Sequence, residues 1–176
     1  MPDPIPDDPT TPGSRPGADA LASDLATVFR GHPAGVAVLT ADGPSGPVGA
    51  TVSSLASVSV SPAIVSVSLN NRSATLAALH EGGRVVVHLL DADHQDLADE
   101  FARPGVDHFA TVEATRSPEG APQIDLASPR LHARVMSRMD VGPSTLVALE
   151  VDRIEVGARH PRALVRMGRR WYHLPR

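Results

Sequence analysis

The sequence predicts a mainly β chain with a few inserted helices, arranged as an antiparallel barrel or sandwich. Three observations lead there. Short runs of Val, Ile, Leu and Ala alternate with Ser and Thr and follow one another across brief Gly, Pro and Asn turns, most densely from Gly46 to Leu69. Aromatic residues make up only 3% of the chain, so the core is filled by branched and small aliphatics, which favour strands. No glycine-rich strand-to-helix fingerprint occurs, which disfavours a dinucleotide-binding α/β domain.

Taken in order, residues 1–18 are rich in Pro, Asp, Thr and Gly and cannot bury enough apolar area to offset their ordering entropy. They read as a disordered tail, and residues 19–176 as one domain. Leu21, Leu25, Val28 and Phe29 fall on one helical face, with Asp19 as cap and Gly31 and Pro33 at the end. Gly35–Ala41 reads as a strand, Asp42 to Pro47 as a turn, and Val48–Ser54 as the hairpin partner. Leu55–Val60 continues the sheet. Ala63–Leu69 alternates, with Val67 and Leu69 on one face and Ser66 and Ser68 on the other.

Ser73–His80 fits a short helix with Leu76 and Leu79 inward, stopped by Gly82-Gly83. Arg84–Leu90 is a buried strand. Asp91 or Asp93 caps a helix whose stripe is Leu97, Ala98 and Phe101. Phe109–Ala114 reads as a strand and Ser117 to Pro122 as a turn. Leu131–Met139 and Thr145–Val156 are long strands broken by Gly142-Pro143, and the chain ends in a short pair around Ala163–Met167 and Arg169–Leu174.

Composition narrows the chemistry. The chain has 176 residues, enough for one domain with a usable core. A net charge of −4 without any Lys/Arg run gives no nucleic-acid footprint. With no cysteine, thiolate catalysis, disulfides and Cys-ligated metals are excluded. The eight histidines are not at metal-ligand spacing and no HExxH occurs, so no metal site is expected. No apolar run is long enough to span a bilayer and the N-terminus lacks a basic start with an apolar core, so the expected location is cytoplasmic. The late arginines Arg159, Arg162, Arg166, Arg169 and Arg170 read as a solvated face, with a role near a ligand phosphate or a dimer partner as the lesser reading.

Two segments carry candidate binding chemistry. Asn70-Asn71-Arg72-Ser73 opens the short helix, where backbone N–H groups, Ser and Thr hydroxyls and Arg72 suit a phosphate. Thr51-Val52-Ser53-Ser54 offers small residues on a strand, against which a flat ring with a polar edge can lie close to backbone donors. Each segment also has an ordinary reading, Ser73 as a helix cap and the Ser/Thr run as an outer strand face. Together they suit a ligand with a polar ring, a hydroxylated middle and an anionic tail, which describes a flavin nucleotide.

At these residues the chain resembles a known family. The blocks GVAVLTA, GATVSSLASVSVSP, VSVSLNNRSATLAAL and RVVVHLLDADHQDLADEFARPGVDHF, in that order from about Phe29 to Glu155, resemble the flavin reductase-like proteins, the reductase components of two-component flavin monooxygenases. The resemblance implies a homodimeric split β-barrel of the FMN-binding type. It implies FMN or FAD as cofactor, NADH or NADPH as co-substrate, and reduced flavin passed to a partner monooxygenase. Carried over by position, Thr51, Val52, Ser53 and Ser54 contact the isoalloxazine and ribityl chain, and Ser68, Asn70, Ser73 and Thr75 hold the lower ribityl and phosphate. Phe101, His108 and Phe109 belong to the block that closes over the flavin, with His108 where the family has Arg. The family's Gly-Asp-His, whose His serves the nicotinamide, is Gly142-Pro143-Ser144 here. Ser144 is therefore the nicotinamide-side candidate, with His88 and His108 as possible substitutes. That departure opens a second reading, a flavin-binding split-barrel protein that does not use nicotinamide: another flavoenzyme, a carrier or a regulatory module.

Overall fold

Strand pairing follows the turn chemistry. The computed structural model describes residues 17–157 and 162–174. The expected tail, apart from Gly17 and Ala18, lies outside the described residues, as does Arg159.

Helix α1 (Ala18–Arg30) carries the expected apolar stripe. Its N-cap is Gly17 at φ 89°, a left-handed angle that glycine adopts without strain, and Asp19 sits in the first turn rather than capping it. There its charge still complements the helix dipole.

The body from Pro33 onward is almost all antiparallel strand. β2 (Ala37–Gly43) and β3 (Gly46–Val52) form the first hairpin across Pro44-Ser45. β4 (Ala56–Ser59), β5 (Ile64–Asn70), β6 (Arg84–Leu89), β9 (Arg130–Val141) and β10 (Ser144–Glu155) complete a seven-stranded sheet in the order β3-β2-β6-β9-β10-β5-β4. The sheet curls until β3 approaches β5, but no ladder closes it. The gap is spanned instead by Ser54, whose hydroxyl donates to the Ser68 carbonyl (3.0 Å) and accepts from the Ser68 N–H (2.9 Å). The result is the split barrel that the family resemblance implies.

Alternation decides what fills it. Ala37, Leu39, Val67, Leu69, Val85, Val87, Ala133, Val135, Val147 and Leu149 point inward, joined by Leu76 and Leu79 around helix α2 (Ala74–Ala78). Each fully buried Leu or Val contributes about 1.5–3 kcal/mol. The outer face of β2 and β6 is buried too, under helix α3 (Gln95–Phe101) and a short ladder of β7 (Thr115–Arg116) with β8 (Pro122–Gln123). Thr40 donates to the Pro122 carbonyl (2.6 Å). His88 bridges the two layers: its Nδ1 lies 3.1 Å from the Val38 carbonyl and its Nε2 accepts from the Ile124 N–H at 3.0 Å. A third small sheet joins β1 (Ala34–Gly35), β11 (Leu164–Met167) and β12 (Arg170–His173).

Three expectations are corrected. The strand expected over Gly35–Ala41 is two strands, because the chain passes from the small sheet to the large one at Val36, which packs into the outer cluster. Phe109–Ala114 is not a strand: Asp107 accepts from the Phe109 N–H (3.0 Å) and winds His108–Ala110 into one 3-10 turn. Asp91 caps a 3-10 turn at Ala92–His94, and α3 begins only after it. Among the described residues no helix is long and apolar enough to cross a membrane.

Candidate active site

An open cleft of about 1440 Å³ lies along β3. β3 and Ser53-Ser54 form its floor. One flank is the end of β5 with α2; the other is the end of α3, the loop to Phe109 and the β11–β12 hairpin. β3 touches both α2 and α3, so the floor separates the flanks.

The cleft gathers Thr51, Val52, Ser53, Ser54, Ser68, Asn70, Ser73, Thr75, Phe101, His108 and Phe109 from three separate stretches of sequence. Their side chains have different tasks. Thr51 faces α3, and its hydroxyl donates to the Ala98 carbonyl (2.7 Å), so Thr51 anchors the helix and offers the cleft only backbone. Val52 points into the barrel core. Ser54 is engaged with Ser68. Ser53 is exposed and makes no side-chain bond among the described residues.

On the α2 flank, Asn70 Oδ1 accepts from the Arg72 N–H (2.9 Å), which sets the turn. Ser73 caps α2 by accepting from the Leu76 N–H (3.3 Å). The helix is short, but the chain's first N–H groups there have no partner inside it. Thr75 is buried and Arg72 is exposed.

On the other flank, Phe101 is buried and packs edge-on to Phe109 (centroids 5.3 Å apart) and beside the His108 ring (4.8 Å). His108 is itself buried, and its Nδ1 has no hydrogen-bond partner; Glu100 stands 3.6 Å away, beyond bonding distance. The Arg103 guanidinium bonded to Glu100 (2.8 Å) holds that carboxyl below its usual range.

Ser144 is not part of the cleft wall. It pairs with Asn70 in the β5–β10 ladder, at the tip of the β9–β10 hairpin. The tip is still tied to the cleft: the Asn71 N–H donates to the Pro143 carbonyl (3.0 Å) and its Nδ2 to the Gly142 carbonyl (3.2 Å). His88 is also outside the cleft. Its burial between the two layers pushes its pKa down to about 4 and keeps the imidazole neutral. No metal-binding group of His and carboxylates occurs among the described residues.

Several cleft residues escape the sequence reading: Asp99, Arg103 and Trp171. Arg166 is the correction to the solvated arginine face, since it lies over Trp171 on the cleft wall. The available signal was that the chain's single Trp follows the arginine cluster.

Exposed backbone and hydroxyls on the floor, an apolar and imidazole flank, and Arg72 beside the Ser73 turn make a donor set that fits a flat, phosphorylated ring system such as a flavin nucleotide.

Comparison with known proteins agrees with that donor set. The flavin reductase like domain matches residues 29–175. The chain is 36% identical over 134 residues to the NADH:FMN oxidoreductase of Rhodococcus qingshengii, covering 76% of this chain and 70% of that one. It is 33% identical over 141 residues to the reductase component of 4-nitrophenol 4-monooxygenase/4-nitrocatechol 2-monooxygenase of Rhodococcus opacus, covering 80% and 75%. Among solved structures, the NADH:FAD oxidoreductase SgcE6 of Streptomyces globisporus C-1027, in complex with NAD and FAD fragments, superposes with a TM-score of 0.76 at 30% identity over 88% of this chain and 93% of that one. The cleft thus sits in a chain that belongs to the flavin reductase-like domain family.

Proposed function

We propose that this chain is an NAD(P)H-dependent flavin reductase that supplies reduced FMN or FAD to a partner monooxygenase. The observation that carries the reading is the meeting of the β3 floor, the Asn70–Thr75 turn and the Phe101–Phe109 block on one cleft. A flavin held there would supply the redox chemistry, as acceptor of the hydride that NAD(P)H gives up, with the accompanying proton drawn from solvent. The chain's own work is to hold and orient. The β3 backbone and Ser53 lie under the ring, Asn70, Arg72, Ser73 and Thr75 receive the phosphate end, and Phe101, His108 and Phe109 keep water from the reacting face. Hydride transfer needs the reacting atoms at roughly 3–3.5 Å, so stacking rather than an acid or base sets the rate. A missing Asp-His pair at Pro143-Ser144 is compatible with turnover for that reason.

The active unit in this reading is a homodimer. Met139, Val141 and Leu146 are exposed on the outer face of β9 and β10. Leu146 stands opposite Ser68, and Ser144 opposite Asn70, so this apolar face continues into the cleft wall. Leu146→Glu is expected to give a monomer in sedimentation with weakened flavin affinity; a dimer of unchanged affinity contradicts this arrangement. A cytoplasmic location, where reduced nicotinamide nucleotides are made, goes with the same reading.

One observation favours a second reading. With Gly142-Pro143-Ser144 in place of Gly-Asp-His, the protein is a flavin binder that does not use nicotinamide. NAD(P)H oxidation with added FMN, FAD or riboflavin separates the two: turnover supports the reductase, and flavin binding without turnover supports the alternative.

A further inference from the structure

The β11–β12 hairpin brings a cation to the cleft that flavin binding leaves without a task. Arg166 and Trp171 are cross-strand partners, and the guanidinium carbon lies 4.2 Å from the indole centroid. The indole N–H donates to both oxygens of Asp99, at 3.0 and 3.2 Å. Trp171 also packs against the outer core cluster. Asp99 and the core therefore fix the indole, and the indole fixes Arg166.

Arg166 has no carboxylate partner among the described residues. Asp99, the acidic group at hand, is occupied by the indole. A guanidinium held over an aromatic face makes no hydrogen bond to it and keeps N–H donors for phosphate oxygens. Its place on the wall of an open cleft leaves this charge within reach of an anion entering there.

The other cleft arginines differ. Arg103 is neutralised by Glu100 (2.8 Å). Arg72 is on the opposite side of the β3 floor, at the turn assigned to the flavin phosphate. Among the described residues the cleft therefore presents two cations without a carboxylate partner, one on each flank, whereas FMN carries one phosphate.

We propose that Arg166, held over the Trp171 ring, receives a phosphate of the nicotinamide dinucleotide, either the pyrophosphate or the adenosine 2′-phosphate, and so sets affinity for that substrate. This rests on the reductase reading. Both sources present the same chemistry, a phosphate oxygen pair facing a guanidinium edge, and substrate comparison tells them apart.

The test is calorimetric binding of NAD+, NADP+, FMN and FAD to wild type, Arg166→Met and Arg166→Lys, with steady-state NADH and NADPH oxidation alongside. Met keeps an apolar cover on the indole, and a thermal melt checks that the fold is retained. Arg166→Met is expected to raise the NAD+ Kd and the NADH KM about 10-fold or more, with kcat and both flavin Kd values unchanged. Arg166→Lys recovers part of the loss, because charge returns without the guanidinium's forked donors. Equal losses for the two dinucleotides assign the pyrophosphate, and a larger loss for NADPH assigns the 2′-phosphate. Unchanged dinucleotide binding in Arg166→Met, beside a wild type that oxidises NADH, overturns this inference alone. A raised flavin Kd with dinucleotide binding intact also overturns it, by assigning Arg166 to the flavin. A wild type that neither binds NAD+ nor oxidises NADH overturns the reductase reading and this inference with it.

Discussion

The ring of Phe101 occupies the space that a side chain at Gly49 would need: a Cβ built on Gly49 would come within 2.5 Å of Phe101 Cε1. This contact seats the end of α3 on the β3 floor and places Phe101 on the flank of the cleft. The glycine is required for close approach rather than for an unusual backbone angle.

Gly49→Ala is therefore expected to displace Phe101. Overpacking of this kind costs about 1–3 kcal/mol. A lowered Tm and a raised FMN Kd are expected together, and Gly49→Ala with Phe101→Leu should recover part of the stability but not the flavin affinity. An FMN titration unchanged by Gly49→Ala would disconnect Phe101 from the ligand.

Ser53→Ala with Ser73→Ala removes the free hydroxyl of the floor and the cap of α2. Loss of the cap costs about 0.5–2 kcal/mol of stability. Flavin affinity is expected to fall about 10-fold or more while the far-UV spectrum stays native. Unchanged affinity would mean that the flavin lies elsewhere.

Ser54→Ala tests the seam of the barrel. The hydroxyl both donates to and accepts from the backbone of Ser68. Its loss is expected to destabilise by about 1 kcal/mol, with faster hydrogen exchange at the Ser68 amide. Exchange equal to wild type would show the seam to be held by packing alone.

His88 gives the pH dependence a definite sign. Burial lowers its pKa from 6.5 to about 4, so the folded state takes up its proton less readily than the unfolded state. The stability tied to the neutral ring is fully present above pH 6.5 and is lost as pH falls toward about 4. The total is of the order of 3 kcal/mol. Urea unfolding between these limits should show a slope that His88→Gln flattens; equal slopes would remove His88 from the account.

The alternating strands were legible because one face of each is buried, which ties side-chain period to register. Val67 and Leu69 against Ser66 and Ser68 is one such case. The two binding segments were legible because small hydroxyl residues cluster there, and the structure brings both to one cleft. Roles inside the cleft were less so. Thr51 and Ser53 sit two apart on adjacent stretches, yet one hydroxyl is consumed by α3 and the other is free, a difference set by what packs outside the sheet. Arg166 looked like one of several solvated arginines until β11 and β12 paired it with Trp171. His88 looked like a candidate for the cleft until the Ile124 N–H covered it. Each of these depends on a contact between distant segments that local pattern does not encode.

The central claim is that the cleft passes hydride from nicotinamide to flavin. The measurement that tests it most directly is the fall in nicotinamide absorbance when NADH or NADPH is added to the purified protein with FMN. The account predicts multiple turnovers that depend on both the protein and the flavin. Flavin binding with no nicotinamide oxidation, for FMN, FAD and riboflavin alike, would contradict it.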